Sequence, residues 1–119
     1  YPPETAAMLN GTAAHGEDFD DTFEGGPVHS SAVIAPAVLA ACERFGRNGR
    51  DALVGMVTGI ETLCRLSMVI PKAIHKAGFH PTGILGALAS TLAVAVRPSK
   101  ATCSVVVPSA AGLSVLPSN

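Results

Sequence analysis

Asp18-Phe19-Asp20-Asp21-Thr22 places three carboxylates and a hydroxyl within five residues, with His15 just before them and His29 seven residues after Thr22. These groups suit acid–base chemistry. A carboxylate beside an imidazole fixes its tautomer, and a Thr hydroxyl can hold a substrate carboxylate or alcohol. Eliminating water from a hydroxy acid needs a base for the C–H proton and an acid for the leaving hydroxyl. A loop of this composition, taken alone, is more often a solvated surface feature.

Other chemistries fit less well. Asp18-x-Asp20-x-Thr22 also matches a phosphotransfer nucleophile motif, which needs a buried strand before it, and Gly11–Glu17 supplies none. A calcium loop starting at Asp18 would want Gly at its sixth position and Glu at its twelfth, where Phe23 and His29 stand. His15, Asp18, His29 and His80 have ligand chemistry suited to several divalent ions, but their spacing matches no compact metal motif, so no metal is expected. His15 reads as a structural residue beside the loop, Asp20 and Asp21 as helix caps or loop anchors, and Lys72 and His75 as solvated connector residues.

The loop must be held by helices. Residues 4–14 are Ala-rich and predicted helical, with Gly11 a weak point. Residues 15–31 carry five of the nine acidic residues and the turn-forming Gly25-Gly26-Pro27. So long a polar segment inside a compact domain points to function. Residues 32–45 read as a second helix, N-capped by Ser30 or Ser31, with Pro36 in its first turns and Gly46 as its stop. Asn48 is placed to cap a third helix over 49–68, with Asp51 in the first turn. Leu53, Met56, Val57, Ile60, Leu63 and Cys64 follow helical spacing and predict its buried face. Pro71 ends it, and a polar connector leads to an apolar helix over 82–96 expected deep inside the structure. The fold class predicted is all-α.

Composition narrows the setting. The 119 residues are 48% hydrophobic and 14% charged, against about a quarter charged in a typical domain. Much of the surface is therefore expected to be covered by more protein. Net charge is −1 without a basic cluster, which argues against nucleic acid. The longest uncharged stretch, 81–96, is short of the roughly 20 residues that span a bilayer. The chain opens without a leader pattern and without Met, so no signal peptide is read and the start is expected to be missing. Cys42, Cys64 and Cys103 read as reduced core cysteines of a cytoplasmic protein.

Four motifs in series carry a resemblance: Asn10-Gly11-Thr12-Ala13-Ala14-His15, Asp18-Phe19-Asp20-Asp21-Thr22, Gly25-Gly26-Pro27-Val28-His29 and Gly78-Phe79-His80-Pro81-Thr82-Gly83. Over roughly residues 4–96 the chain resembles the MmgE/PrpD family, which includes 2-methylcitrate dehydratase, cis-aconitate decarboxylase and iminodisuccinate epimerase. The resemblance implies a large all-α domain completed by an α/β lid, in a cytoplasmic homodimer working without metal or organic cofactor. It also implies that Asp18, His29 and His80 are catalytic and that Thr22 binds substrate. Lys76, close before His80, is added as a cation for the substrate's carboxylates.

Several departures accompany it. Residues 1–96 read as a fragment of the helical domain, and 97–119 as an atypical tail. The lid and a later basic substrate-binding residue are absent from this stretch. The function expected is a lyase acting on small polycarboxylates, 2-methylcitrate dehydratase-like and tied to propionate metabolism. Iminodisuccinate epimerisation and cis-aconitate decarboxylation are the alternatives, and the Phe23–His29 form of the loop leans away from the dehydratase branch. A truncated remnant serving only as a helical interaction piece is the non-enzymatic reading. The isolated chain is expected to have little or no activity.

Overall fold

The computed structural model describes residues 1–96; the sequence readings for 97–119, including Cys103, lie outside the described residues. Five helices follow in order: α1 (Pro3–His15), α2 (Ser30–Arg44), α3 (Gly49–Val69), the single turn α4 (Ala73–Lys76) and α5 (Pro81–Ala95). Among the described residues there is no strand, only an isolated bridge between Phe23 and Val28. The class is all-α, as the sequence predicts.

The third helix starts where its cap dictates. Asn48 Oδ1 accepts from the amides of Arg50 (2.9 Å) and Asp51 (3.1 Å), and Asp51 returns a carboxylate to the Asn48 amide at 3.2 Å. This reciprocal box satisfies three amides that helix geometry leaves without partners. Gly46 takes a left-handed φ of +60° after α2, and the Arg47 amide closes back onto Cys42 O at 2.9 Å. Arg47 then donates its guanidinium to Val94 O and Val96 O, tying the end of α5 to the α2–α3 turn.

The buried face of α3 is only in part the one predicted: Leu63 is fully buried and Met56 packs against the core. Leu53 and Val57 are 65% and 59% exposed and Ile60 is exposed too, whereas Gly55, Thr58, Gly59, Leu63 and Ser67 are buried. Small residues win because they let backbones approach. A Cβ on Gly59 would stand 2.7 Å from Ile34 Cγ2 and 2.8 Å from Ala93 Cβ, so α2 and α5 both pack against that spot. The core is Val28, Ile34, Val38, Leu63, Leu85, Ala89 and Ala93. Complete burial of Ile34 and of Leu63 contributes about 1.5–3 kcal/mol each.

Other elements also depart from expectation. α5 turns Leu85, Gly86, Ala89 and Ala93 inward but leaves Ile84, Leu88 and Leu92 exposed, so it is not buried on all sides. Gly11 is not a weak point. It marks the contact of α1 with α2, where an added Cβ would lie 3.1 Å from Ala32 O. The longest helix passes the length and hydropathy criteria for a membrane crossing, but its small-residue face is spent on α2 and α5.

Candidate acid–base site

The loop between α1 and α2 is fastened at three points before any chemistry is considered. Val28 is fully buried in the core, and the Phe23 amide reaches Val28 O at 3.1 Å across a tight turn. Gly26 lies against α3, where a Cβ would meet Ser67 Oγ at 2.5 Å. The third anchor is Asp21. Its carboxylate accepts from the Ser31 amide (2.8 Å), the Ser30 amide (3.2 Å) and the Ser31 hydroxyl. α2 therefore begins at Ser30, preceded by His29, which makes no side-chain cap, and the expected Ser caps give way to a carboxylate from the loop. Replacing Asp21 with Ala is expected to cost about 1–2 kcal/mol, read as a lower midpoint in urea unfolding.

With the loop fixed, imidazoles converge around one carboxylate. The Asp20 side chain is 4% exposed. Its two oxygens accept from different rings, Oδ2 from His15 Nδ1 at 2.9 Å and Oδ1 from His29 Nδ1 at 3.1 Å. Thr22 Oγ1 lies 3.4 Å from the same His29 Nδ1. The His29 amide donates to Thr82 Oγ1 at 3.0 Å, which pins the loop to the first turn of α5. His80 precedes that helix, and its ring centroid is 5.8 Å from His29 and 6.1 Å from His15.

The partners decide the tautomers. An Nδ1 facing a carboxylate carries the proton, so neutral His29 presents a bare Nε2. His80 is the reverse. Its Nδ1 accepts from the Thr82 amide at 3.3 Å, so in the neutral ring the proton is on Nε2. Burial pushes the Asp20 carboxyl up, but the His15 hydrogen bond and the charges of His29 and His15 outweigh it and hold it below the ordinary value. His80 is lowered by desolvation first, then by His29, His15 and His75, with Asp18 opposing. The residue as a whole remains exposed, so solvent damps that effect.

Both shifts act in the same direction on stability. A carboxyl held low in the folded state stabilises above its unfolded value of ~3.9 and loses that contribution as pH falls through the folded value. A His held low leaves the unfolded chain to take the proton first, so stability falls as pH drops below ~6.5. Melting temperature is therefore expected to decline below about pH 6.5 and again below about pH 4. A melting temperature constant from pH 7 to 3 would contradict both.

Of the residues singled out in the sequence, Thr22, His29 and His80 come together here. Asp18 is at the edge. Its side chain is 77% exposed, its oxygen is 3.8 Å from His15 Nδ1, and its φ of +59° is left-handed. Lys76 is exposed on α4; it is the adjacent His75 whose ring reaches His80, at 5.8 Å between centroids. From sequence alone His15 and Asp20 read as structural and Thr82 is not singled out; no local signal distinguishes Asp20 from Asp18 and Asp21. His15, Asp18, Asp20 and His29 each offer a ligand atom within 4.8 Å of the others, but a divalent cation there would have to displace both imidazole bonds of Asp20.

Beside the cluster a groove of about 520 Å³ runs between α1 and α2, lined by Met8, Gly11, Val33 and Pro36 and reaching the cluster only through His15 and Thr82. It is an apolar trough, and the chemistry lies at its end rather than inside it.

The described residues thus form an all-α domain with an imidazole–carboxylate cluster at the junction of one loop and two helices. The profile of the MmgE/PrpD N-terminal domain matches residues 1–97, and the chain belongs to that family. It is 36% identical over 97 residues to the cis-aconitate decarboxylase of Homo sapiens, covering 77% of this chain and 20% of that protein. It is 33% identical over 101 residues to the cis-aconitate decarboxylase-like protein oryM of Aspergillus oryzae, covering 78% and 21%. The cis-aconitate decarboxylase of Aspergillus terreus is 30% identical over 97 residues, covering 76% and 20%. The chain thus spans about a fifth of the length of the curated relatives it matches. No solved structure gives a significant match.

Proposed function

We propose that this chain supplies the proton-transfer part of a lyase site that acts on a small polycarboxylate of the cis-aconitate type. The observation that carries the reading is the unlike partners of two Nδ1 atoms, a carboxylate at His29 and a backbone amide at His80, which give the rings opposed tautomers. One ring offers a bare Nε2 and the other an Nε2–H, with centroids 5.8 Å apart. Such a pair can accept one proton and deliver another without either ring turning over. In a decarboxylation, the C–C bond to the departing carboxylate breaks, carbon dioxide leaves, and the electron pair left on the acid takes a proton from an imidazolium, which returns to the neutral ring. Thr22 beside His29, and Lys76 from the neighbouring turn, are the groups proposed to hold the remaining carboxylates. The decarboxylase relatives favour this outcome over 2-methylcitrate dehydration or iminodisuccinate epimerisation, which the same pair could serve.

The exposed apolar side chains of α3 and α5 support a site completed by further protein, including a second subunit. Water exclusion would then strengthen each polar contact with substrate. The test is to assay the full-length gene product against cis-aconitate, 2-methylcitrate and iminodisuccinate. Carbon dioxide release from cis-aconitate is expected, with little or no turnover by the 119-residue chain alone. Failure to turn over any of the three acids would overturn the proposal.

A further inference from the structure

We propose that Asp20, rather than the more exposed Asp18, is the positioning carboxylate of this site, and that it sets the tautomers of His15 and His29 together so that both rings present a bare Nε2. The inference rests on the acid–base reading above and deepens it, giving Asp20 the positioning role and adding His15 to the rings it holds.

The three aspartates of the loop have different employments. Asp21 is committed to the first amides of α2. Asp18 is solvated and 3.8 Å from the nearest ring nitrogen, too far for a hydrogen bond. Only Asp20 is both withdrawn from water and shared, one oxygen to each ring. A buried carboxylate left without donors would be costly, so the two imidazoles and Asp20 hold one another in place. The ring centroids of His15 and His29 are 4.8 Å apart, close enough for both to meet one small acid. The charged and titratable groups around them are Asp18 from the loop and His80 at the start of α5, with His75 of α4 behind His80.

This arrangement predicts a response that simple loss of packing would not give. An Asn at position 20 offers one oxygen and one amide donor, so only one ring can keep its proton on Nδ1. The experiment uses the full-length gene product labelled with ¹⁵N-histidine, with signals assigned through His15→Gln and His29→Gln. In the unaltered protein both neutral rings are expected to carry Nδ1–H. Asp20→Asn is expected to convert one of the two to Nε2–H and to lower kcat about 10²–10⁴-fold, as a wrong tautomer does in an acid–base site, with a smaller change in KM. Asp18→Asn is expected to leave both tautomers as they were. Nε2–H on either ring of the unaltered protein would overturn the proposal whether or not any variant folds. So would an Asp20→Asn protein with unchanged tautomers, or a tautomer change in Asp18→Asn instead. Tautomers that respond as expected in a protein that turns over none of the acids would leave the Asp20 assignment standing and remove the lyase reading alone.

Discussion

Replacing His29 with Ala in the full-length gene product is expected to lower kcat by about 10²–10⁴-fold, the range for loss of a positioned general acid or base. The size of the effect follows from where the ring is held. Its Nδ1 is bonded to Asp20 and its backbone amide to Thr82, so its Nε2 has little freedom to miss the substrate. His29→Gln should recover the melting temperature, because an amide can still donate to Asp20, without recovering kcat. The comparison separates chemistry from folding. A variant of either kind that turns over at the original rate would exclude His29 from proton transfer.

The second large effect concerns stability. Gly59→Val is expected to lower the melting temperature by about 4–24 °C, taking about 1–3 kcal/mol for overpacking and roughly 4–8 °C for each kcal/mol in a domain of this size. The added methyl groups would meet Ile34 and Ala93, at least 2.7 Å away by the Cβ position alone, and Ala93 has no rotamer with which to yield. Gly83→Ala is the control. Nothing lies within 4 Å of its Cβ position on α5, so the usual helical preference for Ala should leave stability unchanged or raise it by up to about 1 kcal/mol. If Gly59→Val melts with the unaltered protein, α3 does not pack through this face.

Much of the helical framework was legible because its signals are local. Asn48 with Asp51, Gly46 after α2 and Pro81 at the start of α5 each act within one turn, and each element begins or ends within a residue or two of its expected place. The buried face of α3 is legible only in part, through Leu63 and Met56. Periodicity weights large apolar side chains, so Leu53, Val57 and Ile60 dominate it, while the contact that decides the packing is made by Gly55 and Gly59. The same distinction holds in the site. The family resemblance singles out Asp18, Thr22, His29 and His80, and nothing local reveals which carboxylate of Asp18, Asp20 and Asp21 turns inward. That choice depends on a helix start 10 residues later, where Ser31 takes Asp21 out of consideration.

The bond from the His29 amide to Thr82 Oγ1 joins residues 53 positions apart. Capped helices such as α3 can assemble from neighbours in sequence, but this link must wait until the whole intervening chain has closed, and closure over such a span carries its own entropic cost. A nascent polypeptide still short of α5 would therefore carry the aspartates and their imidazole partners without the hydroxyl that holds the His29 backbone.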